Sequence, residues 1–170
     1  VPAVAGAGPD PEGRELHYAV GKQAEIRLVI EAGVPPVKAD AGALVQVMLN
    51  LLDNAWQYGV EKQAGDRRDG PAIRVTVETA TQPSRWVCRQ GDWVRIDVRD
   101  FGRGMTRSEA RRAFRPYVRG SRAGDANVSG VGLGLAICSH VVRAHGGRIE
   151  VDSAPGKGTT MTLFLPAEAA

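Results

Sequence analysis

Cysteine is scarce in this chain of 170 residues. Cys88 and Cys138 are the only two. Their spacing matches no metal site and they cannot build a disulfide framework, so a reducing compartment is expected. No apolar run approaches the roughly 18 residues that a membrane span needs. The Ala/Gly/Pro-rich start, Val1 to Gly13, has no basic leader and does not read as a signal peptide. Methionine is missing from position 1, and the expectation is an excised piece of a larger protein. Excess charge is also small. A net +3 is too little to imply a nucleic-acid partner by itself. With 43% hydrophobic and 24% charged residues, wholesale disorder is excluded.

Glycine is what the chain has in excess. There are 21, about 12% of the sequence against a usual share of about 7%. No Gly-X-Y period accompanies them, which excludes collagen, so they serve loops, caps or a ligand that needs close backbone approach. Arginine is unevenly spread. From Arg103 to Arg122 there are seven arginines and one acid, Glu109, a local +6 that leaves −3 for the rest. Such a patch suits a polyanionic ligand smaller than DNA, or is simply a solvated helix face and loop.

The pattern along the chain predicts one domain. Residues 1–14 read as a flexible lead-in and 15–170 as the domain. Glu25 to Ile30 is strand-like, ending before Gly33 and Pro35-Pro36. Asp40 stands where an N-cap would, ahead of a helix from Ala41 to Tyr58. A polar loop spans 59–71. Ile73–Thr79, Trp86–Cys88 and Trp93–Val98 read as strands. Thr106-x-x-Glu109 starts a short helix to Phe114, and 115–130 reads as a mobile loop. Val131 to His145 is a second long helix closed by Gly146-Gly147. Arg148–Asp152 and Thr159–Leu165 are strands around a Pro155-Gly156 turn. Strands with three interspersed helices imply a two-layer α/β (α+β) sandwich.

Three segments carry chemistry. In helix 41–58, Leu44, Val45, Val47, Met48, Leu49, Leu51, Leu52 and Ala55 would bury most of the circumference. Gln46, Asn50 and Asn54 form one polar stripe at i, i+4 and i+8. A polar stripe on a mostly buried helix must be satisfied, either by neighbouring backbone or by a ligand such as Mg²⁺, which favours hard oxygens. At the end of a strand stands Asp100-Phe101-Gly102-Arg103-Gly104. Its glycines allow a planar ligand to approach, and its aspartate suits an exocyclic amine; a tight turn is the plain alternative. Gly130-Val131-Gly132-Leu133-Gly134-Leu135 opens the last helix. Glycine there costs about 1 kcal/mol per interior position, and phosphate held on free N–H groups at a helix N-terminus would be a reason for it. Neither a dinucleotide fingerprint nor a P-loop is present, and the catalytic-loop and strand-lysine motifs of eukaryotic-type kinases are missing.

The order of these boxes resembles the ATP-binding domain of two-component sensor histidine kinases. That order is an Asn-bearing helix, D-x-G-x-G, F-x-P-[FY]-x-R, G-x-G-x-G, then Gly156-Lys157-Gly158-Thr159. The family shares the Bergerat ATP-binding fold with gyrase-type topoisomerases, mismatch-repair ATPases and heat-shock chaperones. The resemblance covers about residues 25–166 and implies a mixed, mostly antiparallel sheet of about five strands on three helices. It implies binding of ATP with Mg²⁺: Asn54 on the metal, Asn50 near the phosphates, and Gln57 and Tyr58 closing that box beside the nucleotide. Asp100 would read adenine, with Gly102, Gly104 and Met105 shaping the pocket and Thr159 near the base. Phe114 to Arg119 matches the F box, putting Tyr117 at the nucleotide and Arg119 at the γ-phosphate. Residues 115–130 would be the ATP lid, with Gly130, Gly132 and Gly134 its phosphate-side hinge and Val131, Leu133 and Leu135 also at the nucleotide. His145-Gly146-Gly147 also fits the family pattern but reads as a helix cap.

One position departs from the family. Gln57 stands where Lys, His or Arg is usual, and Arg119, Arg122 or Arg115 would have to compensate. Related ATPases carry Glu where this chain has Asn50. Asn is a poor general base, which disfavours hydrolysis and leaves the γ-phosphoryl group for an external nucleophile. In the family that nucleophile is a histidine on a separate dimerisation domain, which this sequence does not contain. His17 lacks the acidic and proline neighbours of such an acceptor. The resemblance thus implies a cytoplasmic protein-histidine kinase catalytic domain, whether or not the parent is anchored in the inner membrane. Its partners would be the histidine-bearing domain and then a response regulator, with neither nucleic acid nor direct membrane contact. The fragment is expected to be a monomer and the parent a homodimer. Two alternatives stay open: a nucleotide-binding regulatory module without phosphotransfer, and an anti-sigma-type serine kinase of the same fold.

Overall fold

The structure, a computed structural model, describes residues 12–20, 24–60, 72–80, 92–118 and 132–168. Six strands form one sheet in the order β1-β2-β3-β4-β6-β5. They are β1 (Arg14–Val20), β2 (Ala24–Ile30), β3 (Ile73–Ala80), β4 (Trp93–Asp100), β5 (Arg148–Ser153) and β6 (Thr159–Pro166). Only β2 and β3 run parallel; the other pairs are antiparallel. The described residues also form three α-helices: α1 (Ala41–Ala55), α2 (Arg107–Arg112) and α3 (Gly134–Ala144). This is the two-layer mixed sandwich the sequence implied, with one strand more than expected.

The additional strand is β1. It begins at Arg14, inside what read as lead-in, and its residues 14–19 are all exposed. Its apolar residues Leu16 and Tyr18 alternate with Glu15 and His17 but face solvent, and charge on the other face marks an edge strand. Glu15 pairs with Arg27 of β2, and His17 hydrogen-bonds Glu25 and Glu15. The Glu25 hydrogen bond, seconded by Glu15, raises the His17 pKa above its usual value. The expected strand 86–88 lies outside the described residues, as do most of loop 59–71 and the expected lead-in up to residue 11.

Period-two alternation places the core. Val94, Ile96 and Val98 of β4 face Leu165, Leu163 and Met161 of β6 across the ladder. Ile73 and Val75 of β3 continue that face, and Val47, Leu51 and Ala55 of α1 with Cys138 and Val142 of α3 pack onto it. Leu51 is 1% exposed, and burying a leucine contributes about 1.5–3 kcal/mol. The buried stripe of α1 is narrower than the sequence implied. Val45 and Leu49, expected inside, are 58% and 51% exposed, because only one side of α1 meets the sheet and α3.

Helix ends follow their caps. The Asp40 side chain accepts from Ala43 N–H and starts α1. Thr106 and Glu109 form a reciprocal capping box at α2. The long first helix does not stay α-helical to Tyr58. It passes into a π-turn over Trp56–Val60, which changes the direction of the side chains beyond Ala55. Helix α3 begins at Gly134 and not at Val131. Gly132 is left-handed, with φ 73°, and cannot be part of it.

Candidate functional site

Along β4 the inner face runs Val94, Ile96, Val98 and then Asp100. A carboxylate thus takes the next apolar slot, at the C-terminal end of the strand. Asp100 is 6% exposed. Its Oδ1 accepts the Gly102 N–H at 2.8 Å and the Thr159 N–H at 3.3 Å. A buried carboxylate needs such donors, and backbone donors fix its position. The two glycine turns are interlocked beside it. A Cβ on Gly104 would come within 1.9 Å of the Ala154 oxygen, and one on Gly158 within 2.2 Å of the Asp100 oxygen. Both residues have positive φ, 65° and 77°, so both space and conformation call for glycine there.

The other end of the site is built by α1 and α3. Asn54 Nδ2 donates to the Asn50 carbonyl at 2.7 Å, which leaves the amide oxygen as the free acceptor of that side chain. Gln46 Nε2 donates to Asn50 Oδ1 at 3.4 Å. A Cβ on Gly134 would lie 3.8 Å from Asn50 Oδ1 and 3.9 Å from Asn54 Nδ2, so the start of α3 abuts the amide pair. No side chain caps α3. Its first intrahelical bond is Ile137 N–H to the Leu133 carbonyl at 2.9 Å. The N–H groups of the first turn are therefore open for a ligand and carry the positive end of the helix dipole.

Between these ends lies a cavity of about 450 Å³. From α1 and the π-turn it is lined by Asn50, Asn54, Gln57 and Tyr58. From the strand ends come Asp100, Gly104, Met105 and Thr159, and from the start of α3 Gly132, Leu133, Gly134 and Leu135. Twelve of the residues expected at a ligand thus share one cleft. Gly102 serves it only through its bond to Asp100. Tyr117 is not part of the lining: its ring is 73% exposed, and its left-handed backbone is held by an N–H bond to the Gly132 carbonyl at 3.0 Å. Arg119, Gly130 and Val131 lie outside the described residues, with most of the expected lid.

Sequence reasoning placed Arg103 and Arg112 in a basic stretch suited to a polyanion but did not single them out as site residues. Arg103 and Arg112 line the cleft, and Arg103 stands over the Tyr58 ring, 5.0 Å from its centroid. They supply positive charge in a cleft where Gln57 supplies none. Arg103 sits inside the D-x-G-x-G box, but only the turn geometry aims it across at Tyr58. Arg115, named as a substitute, is exposed and does not line the cavity. Under the floor, the Cys138 thiol lies 3.7 Å from the Val47 carbonyl and its pKa is pushed up by burial to about 11, so it is an inert packing group.

A cavity with a buried acceptor at one end and an open helix N-terminus at the other defines a class. The chain belongs to the family of histidine kinase-, DNA gyrase B-, and HSP90-like ATPases, whose model matches residues 39–169. Among curated proteins it is 35% identical over 147 residues to the adaptive-response sensory kinase SasA of Synechococcus sp. (strain CC9311). That match covers 86% of this chain and 34% of SasA. It is 33% identical over 148 residues to the alginate biosynthesis sensor protein KinB of Pseudomonas aeruginosa, covering 86% of this chain and 21% of KinB. The chain spans about a third or less of the length of these relatives. Among solved structures, the mycobacterial sensor histidine kinase MprB superposes with a TM-score of 0.61 at 26% identity, covering 85% of this chain and 84% of that one. Full-length ShkA in complex with AMPPNP gives the same score and identity, over 85% of this chain and 26% of ShkA.

Proposed function

We propose that this domain binds Mg-ATP in the cleft and is the catalytic domain of a sensor histidine kinase, 15–170 being the functional unit. The observation that carries this is the uncapped start of α3 against Asn50 and Asn54, in the same cavity as the buried Asp100. Adenine would meet Asp100, its amine donating to the carboxylate, with Met105, Gly104 and Thr159 around the ring. The phosphates would reach the first-turn N–H groups of α3, neutralised by Arg103 and Arg112, with Arg119, Gly130 and Val131 as further nucleotide contacts. The ShkA complex with a nucleotide analogue supports this use of the shared fold.

The donor set fits a magnesium ion. The Asn54 amide nitrogen is spent on the Asn50 carbonyl, and its oxygen remains as one hard ligand. That suffices for an ion which takes its other ligands from phosphates and water. When bound, magnesium supplies charge neutralisation at the phosphate oxygens. Asn50 offers no general base for water, so this chain positions ATP for transfer instead of hydrolysing it. The acceptor is a histidine on a separate domain of the parent, and a response regulator takes the phosphoryl group next. Among the described residues no helix is long and apolar enough to cross a membrane.

Calorimetry tests the binding step. Wild-type protein is expected to bind ATP in the presence of magnesium and much more weakly with EDTA. Asp100→Asn should weaken binding about 10- to 150-fold, the equivalent of one charged hydrogen bond of about 1.5–3 kcal/mol. Unchanged affinity in that variant would overturn the assignment of Asp100. Acid-labile phosphate on an added acceptor domain would establish the transfer.

A further inference from the structure

Ser153 closes β5 and does not line the cleft, yet its hydroxyl is tied to three groups that shape it. Met105 N–H donates to Ser153 Oγ at 2.8 Å. Ser153 donates to the Gly158 carbonyl at 2.9 Å. Thr159 Oγ1 lies 2.9 Å from the same Oγ. A serine hydroxyl has one proton and two acceptor positions. The Gly158 carbonyl can only accept, so it takes the proton. Met105 fills one acceptor position, and the remaining contact must be Thr159 donating to Ser153. The Gly158 carbonyl cannot turn away to release that proton, because the turn is wedged against Asp100 with no room for even a Cβ.

Threonine also has one hydroxyl proton. With it committed to Ser153, the Oγ1 of Thr159, a residue that lines the cavity, has only acceptor capacity left for a ligand. Next to it stands Asp100, whose carboxylate is likewise an acceptor and is joined to Thr159 through the Thr159 N–H. This end of the cleft therefore presents two acceptors side by side.

We propose that Ser153 is a specificity-determining positioning residue: by holding the Thr159 proton it makes the base end of the cleft select a purine with an exocyclic amine over one with a carbonyl in its place. The inference rests on the nucleotide-binding reading above. An amine offers two donors to the two acceptors. A carbonyl there would face acceptors only, and buried groups left unpaired are rejected strongly. Without Ser153, the Thr159 hydroxyl can rotate and donate to a carbonyl.

The test is a double-mutant cycle read as the ratio of ATP to ITP affinity, measured by calorimetry with magnesium. The two nucleotides share their phosphates and differ at the exocyclic position. Ser153→Ala should lower the wild-type preference for ATP about 5- to 10-fold, as for one hydrogen bond, while Ser153→Thr keeps it. In a Thr159→Val background, Ser153→Ala should leave the ratio where Thr159→Val alone puts it, since Ser153 acts through that hydroxyl. A merely structural role for Ser153 would lower thermal stability in both backgrounds and move neither ratio. An unchanged ratio in Ser153→Ala, or an equal fall in the valine background, overturns the proposal. If Ser153→Ala does not fold, Ser153→Cys, a weak hydrogen-bonding group of similar size, takes its place in the cycle. Wild-type protein that binds neither nucleotide would refute the nucleotide-binding reading itself, a result distinct from an unmoved ratio.

Discussion

At Gly104 the backbone leaves no choice of residue. A methyl group there would sit 1.9 Å from the Ala154 oxygen, a backbone atom that cannot swing aside, and φ is 65°. Gly104→Ala is therefore expected to lower unfolding free energy by about 2–4 kcal/mol, from steric overlap plus left-handed strain; urea unfolding measures it. Gly156 is the control. Its φ is 77° but nothing lies within 4 Å of its added Cβ, so Gly156→Ala should cost about 1–2 kcal/mol, the strain alone. A Gly104→Ala loss no larger than that of Gly156→Ala would mean the two turns do not interlock. Residue types at this scale were legible in the sequence: Asp100, Gly104, Asn50, Asn54 and Thr159 each signal through a local pattern. Arg103 and Ser153 were not. Their importance comes from contacts with Tyr58 and with Met105, Gly158 and Thr159, and nothing in the local spelling distinguishes Arg103 from its neighbouring arginines.

Among elements, α1 and α3 matter most, because the amide pair and the open N-terminus must stay in register. Their far ends are joined by His145. Asp40 N–H donates to His145 Nε2 at 3.1 Å, and His145 Nδ1 lies 2.8 Å from the Val141 carbonyl. A carbonyl only accepts, so Nδ1 carries the proton and Nε2 is the bare acceptor. The ring thus ends α3 and at the same time anchors the cap residue of α1. His145→Ala should cost about 1–2 kcal/mol and also raise the ATP dissociation constant, because the tie that sets the register of the two packed helices at their far ends is lost. Destabilisation with nucleotide binding untouched would confine the histidine to capping. The sequence reading of His145-Gly146-Gly147 as a cap captured half of this. The bond to Asp40 spans 105 positions, and no local pattern reports a contact of that range. The π-turn at Trp56–Val60 escaped notice for a related reason. Residues 41–58 contain no proline, and no glycine after Gly42, so nothing in the spelling marks where the hydrogen-bond spacing changes.

For the molecule as a whole, alternation in β3, β4, β5 and β6 made most of the sheet readable, since their inner faces carry the core. β1 was not read as a strand: the alternation of Leu16 and Tyr18 is short, abuts the Ala/Gly/Pro-rich start, and belongs to an exposed edge that packs on no core. The exposed pair Val45 and Leu49 shows the opposite failure. Apolar content counted as burial, but only contacts with the sheet and α3 decide which side of a helix is inside.

One bond joins the two lips of the segment between Val118 and Gly132: Tyr117 N–H to the Gly132 carbonyl. That bond holds the described residues on either side of the segment, Val118 and Gly132, at one place beside the cleft. When two chain positions are held together, the entropy of closing the segment between them varies with the logarithm of its length, and halving that length changes the free energy by about 0.6 kcal/mol. Deleting residues 122–127 should accordingly leave the urea midpoint nearly unchanged while altering ATP affinity; a loss of more than about 2 kcal/mol would show that the segment holds the fold. The knot at Tyr117 and Gly132 thus uncouples the length of what lies between them from the stability of the sheet.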